Sequence, residues 1–312
     1  MSLNKKIIKL VLCVLFVHVL LICIFNLSKD KQSELYQQLN TYYSRDNVKV
    51  LFLGDSHVAR SIDMSQIDSS FSLAYYGENN MMNYYKLKYC IDHKSPIPRY
   101  IGLPCDIVTF SEGFNRFRTD IYFYYSLFNF SEVSDMSDNC VTSYYNYAKI
   151  KMFPYTEWQY TLSIINENRH KKSNDRFSDK SPHDQLSQVT KFIQEENLVS
   201  AGKVNLYSKR GMSYLQKIIN LCKANHIKLF FIKFPLTTPI FNEIKLHVDS
   251  NYITNRPSEK LIQHERIPIL NFEHAFENRS DLFFDSHHLN INGRTKFTKL
   301  FKQKLDSLLI VY

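Results

Sequence analysis

The chain has 312 residues, 44% of them apolar and 22% charged, with a formal charge of +9 from 39 Lys+Arg against 30 Asp+Glu. That composition excludes a disordered or fibrous chain and leaves enough apolar residues for one large core or two small ones. The positive charge is spread without long blocks and no nucleic-acid-binding motif accompanies it, so it fits an acidic polymer or an anionic membrane surface rather than DNA or RNA.

Lys5, Lys6 and Lys9 flank an apolar run from Leu10 to Phe25, interrupted only by His18. With Ile7, Ile8 and Leu27 the stretch is long enough to cross a bilayer core of ~30 Å as a helix. The basic flank predicts a cytoplasmic amino terminus and an exported remainder, at the cell membrane and single-pass. A cleaved signal peptide is the competing reading, but no small-x-small site follows the run. Residues 1–27 are therefore expected to be a cytoplasmic stub and transmembrane anchor. Residues 28–47, with Leu35, Leu39, Tyr42 and Tyr43 at amphipathic spacing, are expected to form a linker helix.

A domain at 48–312 opens on Val48 to Leu53, a strand apolar enough to be buried on both faces, broken by Gly54-Asp55-Ser56. Further strands are predicted at Ser72–Tyr76, Ile107–Ser111, Lys228–Phe234 and Pro268–Phe272. Helices are predicted at Asn80–His93, at Val204–Asn225 and from Gly293 onward. Strands alternating with helices imply a parallel sheet covered on both faces. The alternation lapses at about 116–200, an insertion crowded with aromatic residues from Phe117 to Tyr160, expected to be mostly core with some edges available to sugar rings. Cys90, Cys105, Cys140 and Cys222 lie beyond the apolar run, and one or two disulfides would suit an exported domain. Their spacing has no CxxC, and Cys222 sits on an apolar helix face.

Glycine is scarce, seven in all where a typical ~7% would give roughly twenty. Four of the seven (Gly54, Gly77, Gly113, Gly293) fall beside the residues that could do chemistry. Ser56 would stand at the carboxyl end of a parallel strand, where open α/β sheets place ligands. Far downstream, Asp285 precedes His288 by three residues, so its carboxylate can orient that imidazole as a base for a hydroxyl. The backbone N–H groups of Ser56 and Gly77 and the side-chain amide of Asn115 could supply an oxyanion hole.

Gly-Asp-Ser after a first strand, a glycine after a second, Gly113-Phe114-Asn115 after a third and Asp285-x-x-His288 near the carboxyl terminus resemble the four blocks of the SGNH (GDSL-type) hydrolase superfamily, in the same order. The resemblance implies a flavodoxin-like three-layer α/β/α sandwich with a five-stranded parallel sheet, needing no cofactor and no metal. It makes Ser56, Gly77, Asn115 and His288 the signature residues and Asp285 the third triad member. Two positions depart from the usual blocks: His57 replaces the leucine of GDSL, and Arg116 follows the asparagine. Both would change the mouth of the site, either lining it as substrate-binding residues or facing solvent. With the anchor, they resemble the envelope-facing branch of the superfamily, similar to alginate-type O-acetyltransferases and the teichoic acid D-alanyl transfer protein. Members of that branch work beside a membrane-bound O-acyltransferase.

The expected function is thus a serine-dependent O-acyltransferase or esterase acting outside the membrane on an envelope or secreted polysaccharide. The alternatives are a lipid or small-ester hydrolase at the membrane surface, or a catalytically silent glycan-binding or scaffold module.

Overall fold

The computed structural model describes residues 3–32, 34–93, 97–115, 129–136, 176–195, 199–200, 203–204, 207–247 and 256–312, together with 139, 141, 144, 145, 147 and 148. Two compact units emerge: residues 1–44 with 117–172, and residues 45–116 with 173–312. The first unit contains helix α1 (Leu3–Gln32), helix α2 (Glu34–Tyr43) and a short helix at Phe130–Met136. Within α1, the segment Lys5–Cys23 has a mean hydropathy of 2.6 and is long and apolar enough to cross a membrane. Most of the aromatic insertion lies outside the described residues. Within it, Phe130 meets Tyr144 and Tyr147 edge-on.

The second unit carries β1 (Val50–Phe52), α3 (Ser56–Ser61), β2 (Ser70–Ser72), α4 (Asn80–His93) and β3 (Tyr100–Pro104). Within the expected insertion comes α5 (Pro182–Glu195), and after it α6 (Lys209–Ala224), β4 (Lys228–Lys233), α7 (Thr238–His247), α8 (Pro257–His264), β5 (Ile269–Asn271) and α9 (Ile291–Val311). The five strands form one sheet in the order β2-β1-β3-β4-β5, every pair parallel. This is the flavodoxin-like order, and its switch point lies between β1 and β3, where the connections leave β1 in opposite directions.

Period-two alternation sorts the strand side chains between two helical layers. Val50, Phe52, Phe230 and Ile232 share a buried core with Phe297, Phe301 and Leu305 of α9. Those three α9 residues recur every fourth position, a stripe on one helix face. Phe52 meets Phe230 and Phe301 edge-on, at 6.0 and 5.8 Å between ring centroids. Leu51, Ile101, Leu103, Leu229 and Phe231 point the other way and are equally buried. On that side α4 and α6 pack against each other.

Two strand expectations shift: the second strand is Ser70–Ser72, starting two residues before the expected Ser72–Tyr76, and the third moves further. The third strand is Tyr100–Pro104, not Ile107–Ser111. Gly102 and Pro104 read as breakers, yet the segment pairs with β1 and β4 on its two sides, and Pro104, which has no N–H to give, faces β1 beyond its last paired residue, Phe52. Residues 107–110 are a buried turn, with Thr109 N–H donating to the Asp106 carbonyl and Ser111 N–H to that of Val108. Helix α5 was also hidden inside the expected insertion, although Val189, Phe192 and Ile193 at i, i+3 and i+4 are its buried face. The thiols of Cys90, Cys105 and Cys222 are buried and none is in a disulfide; Cys140 lies outside the described residues. Burial pushes the Cys222 thiol up to about 12.

Candidate active site

At the end of β1, Leu53 N–H still bonds the Gly102 carbonyl of β3 (3.1 Å), and the chain then turns sharply at Gly54 with φ of +136°. A Cβ on Gly54 would lie 2.6 Å from Pro104 Cδ and 2.8 Å from Val58 Cγ2. Gly54→Ala therefore meets both backbone strain and a crowded neighbour, and is expected to cost about 2–4 kcal/mol in urea unfolding. Asp55 caps α3, its carboxylate accepting the His57 N–H at 2.9 Å. This cap fixes Ser56 as the first residue of α3, at the carboxyl edge of the sheet.

The second half of the site is the loop between Phe283 and Asn290. Phe284 N–H bonds the His288 carbonyl at 2.8 Å, closing the loop on itself. Asp285 then serves twice. Its Oδ1 accepts the N–H groups of His287 (3.0 Å) and His288 (2.7 Å), and its Oδ2 accepts from His288 Nδ1 at 2.8 Å. Asn290 caps α9 by accepting the Gly293 N–H at 2.9 Å. A Cβ on Gly293 would fall 2.1 Å from the Leu282 carbonyl oxygen, so only glycine lets α9 start this close to the loop. With Nδ1 donating to Asp285, His288 Nε2 is left as an acceptor and takes the Ser56 Oγ–H at 2.8 Å. The structure thus brings together Ser56, His288 and Asp285, residues separated by more than 200 positions in sequence.

Electrostatics suit a base waiting in its neutral form. Burial lowers the His288 pKa, and the pull of the Asp285 carboxylate only partly restores it. Burial alone would raise Asp285, but the facing His288 and His287 and the loop N–H groups hold it well below the usual carboxylate range. Burial and the neighbouring His288 hold His287 well below the ordinary histidine value. Its ring stacks on Phe192 of α5 at 4.1 Å.

Behind the triad lies a second histidine–carboxylate pair. His57 Nδ1 is 2.8 Å from Asp106 Oδ2, both side chains buried, and Asp106 Oδ1 also accepts the Phe234 N–H at the end of β4. Burial pulls His57 down, but the Asp106 bond and the charges of Asp55, Asp106 and Asp285 outweigh it and raise the pKa to about 9. His57 is 3% exposed, so it is not a residue of the site mouth as expected from sequence; it forms the floor against which His288 packs, ring centroids 5.5 Å apart. The ring nitrogens of His57, His287 and His288 lie within 4.8 Å of one another and are the described groups nearest to a metal-ligand arrangement. They suit a cation poorly: both His288 nitrogens and His57 Nδ1 are engaged, and the imidazolium of His57 repels it.

Asn115 requires a correction. Both hydrogens of its amide are spent inside its own turn, on the carbonyls of Thr109 and Ser111 at 2.9 Å each, and its side chain fills the space beside Gly211 of α6. It offers no donor to Ser56. The physical reason is the shifted third strand: the residue at the carboxyl end of β3 is Asp106, nine positions earlier. Gly77 does lie in the turn beside the serine loop, since Tyr75 N–H bonds the Gly54 carbonyl at 3.0 Å, and it adopts φ of +71°. Arg116 lies outside the described residues. Next to Gly77, burial pushes the Glu78 carboxyl up to about 7 and the ammonium of its ion-pair partner Lys86 down. Sequence reasoning missed both Asp106 and this pair. The only signal for Asp106 was its place after a short strand obscured by Gly102 and Pro104.

A protein-family profile matches residues 186–310, less than half of the chain. No curated protein matches the sequence. Among solved structures the chain is similar to a proposed acylhydrolase from Bacteroides fragilis NCTC 9343, with 12% identity and a TM-score of 0.42 over 88% of this chain and 95% of that one. It is similar also to a GDSL-like lipase from Bacteroides thetaiotaomicron VPI-5482, with 12% identity and a TM-score of 0.43 over 88% of this chain and 98% of the other. At that level the likenesses assign no activity.

Proposed function

We propose that the chain is a serine-dependent ester hydrolase or O-acyltransferase of the SGNH type, held at a membrane by α1 and acting on an extracytoplasmic polysaccharide. The observation that carries the reading is the unbroken relay from Asp285 Oδ2 through both His288 nitrogens to Ser56 Oγ, each contact 2.8 Å. His288 Nε2 takes the hydroxyl proton as Ser56 Oγ attacks the acyl carbon, and Asp285 stabilises the imidazolium. The N–H groups of Ser56 and Gly77 are the donors we assign to the tetrahedral oxyanion. His288 then returns the proton to the departing alcohol, leaving an acyl-enzyme. Water ends the cycle as an esterase, and a sugar hydroxyl ends it as a transferase. Support for the membrane setting comes from α1 and its basic flank, and the apposition of an acyl-donating membrane enzyme is part of the transferase version.

The test is intact-mass analysis of the full chain in detergent after exposure to 4-nitrophenyl acetate. One acetyl group on the native protein, absent from Ser56→Ala, is expected. Failure of any adduct to form, together with no ester cleavage, would sink the reading. The pH profile supplies a second check. Because burial holds His288 below the ordinary value of 6.5, the acid limb of kcat/KM for this ester is expected below pH 6.5. A limb centred above it would contradict a buried neutral base.

A further inference from the structure

Arg60 is the fifth residue of α3, one turn beyond Ser56 and about 6 Å along the helix axis from it. Residues four apart share a helix face, so this side chain stands on the same side as the Ser56 hydroxyl. Its guanidinium carbon lies 5.1 Å from the ring centroid of Tyr76 and 5.9 Å from that of Phe284. Tyr76 immediately precedes Gly77, and Phe284 immediately precedes Asp285. Each of the three segments that build the active site thus contributes one member of this cluster. Lys180 approaches the same Phe284 ring, with Nζ at 6.0 Å from its centroid.

Among the described residues Arg99, Arg176 and Arg266 also have no carboxylate partner, but those three are exposed, and what sets Arg60 apart is lacking a counter-ion while half-buried. Arg256 pairs with Glu259 and Glu273, Arg279 with Asp281, and Arg294 with Asp63. Among the described residues no carboxylate pairs with Arg60, although it is half-buried. A guanidinium held by aromatic faces keeps its N–H edge for bidentate bonding to a planar oxyanion. Its charge also reaches the triad, being among the groups that disfavour protonation of His287 and His288.

We propose that Arg60, assisted by Lys180, forms an oxyanion-binding subsite one helical turn from Ser56, so that the substrate carries a negative charge beside the reacting ester. The chemistry is that of an acidic glycan, with the anion a sugar carboxylate or a backbone phosphodiester. The inference deepens the proposed reaction at Ser56 and depends on it for the meaning of the subsite. The net positive charge of the chain is consistent with such a polymer.

The experiment measures equilibrium binding to the full chain in detergent, in the Ser56→Ala background, so that its outcome does not depend on turnover. The probes are tri-galacturonate, a glycerol-phosphate trimer and maltotriose. One of the two anionic probes is expected to bind more tightly than maltotriose, with an affinity that falls as salt is added. Arg60→Gln should weaken that probe by about 10- to 100-fold, the usual loss for a charge-assisted hydrogen bond, and Arg60→Lys should restore part of it. Binding of the carboxylate or of the phosphate probe alone, lost in Arg60→Gln, supports the subsite and names its anion. Equal binding of anionic and neutral probes, or anionic binding indifferent to Arg60→Gln, overturns it. Failure of the serine reading shows separately, as ester cleavage that survives Ser56→Ala.

Discussion

Ser56→Ala is expected to lower kcat/KM for 4-nitrophenyl acetate by about 10⁴-fold or more, and His288→Ala by a similar factor. The double variant should be no worse than either single one, because the two groups act as one nucleophile. Asp285 separates into two functions that different substitutions resolve. Asparagine at 285 retains an oxygen to accept the His287 and His288 N–H groups now bonded at 3.0 and 2.7 Å, so the loop keeps its shape. Its amide nitrogen, however, would face His288 Nδ1 and force the proton onto Nε2, the nitrogen that must accept from Ser56. Asp285→Asn should therefore leave the unfolding midpoint nearly unchanged while costing about 10³- to 10⁴-fold in rate. Asp285→Ala should lose both rate and loop stability. Stopped-time assays of ester cleavage alongside urea unfolding check the pattern, and a Ser56→Ala protein with native rates would refute it.

The parts of this molecule that were legible in the sequence are those set by strong local chemistry. The abrupt end of an apolar run at Gly54-Asp55-Ser56 located the serine, because a strand buried on both faces needs a continuous apolar stretch and a glycine to leave it. Asp285 and His288 were legible because their interaction closes within four residues. Helix α4 was read to the residue, from Asn80 to His93. The third strand was not, since Tyr100–Pro104 gains its stability from pairing on both sides, which no local propensity reports. That shift misplaced the residue expected at the strand's end, and Asn115 was assigned a role that its own turn already occupies. His57 looked like a mouth residue because its partner, Asp106, is 49 positions away in the chain, a distance over which a single sequence carries no pairing signal.

That hidden pair is where the second large effect is expected. His57 and Asp106 are buried together, and removing one partner of such a pair leaves an uncompensated polar group, at a cost of about 3–5 kcal/mol. Asp106→Ala strips the acceptor from both His57 and the Phe234 N–H, so it should be the more damaging change. The double variant His57→Ala with Asp106→Ala should lose less than the sum of the two. The pair also sets a pH dependence of known sign. His57 has a folded-state pKa of about 9 against an ordinary 6.5, so the folded state binds this proton more tightly than the unfolded one. Its contribution is fully present below pH 6.5 and is lost as pH rises through about 9. Urea midpoints of the native protein should fall across that window, and the fall should flatten in Asp106→Asn. The same variant links the floor of the site to its chemistry. The His57 imidazolium, 5.5 Å from His288 between ring centroids, opposes a second positive charge there. Once Asp106 no longer holds that proton, burial favours neutral His57, and the acid limb of ester cleavage should move to higher pH. An acid limb unmoved in Asp106→Asn, with the fold intact, would show that His57 and Asp106 only brace the sheet edge.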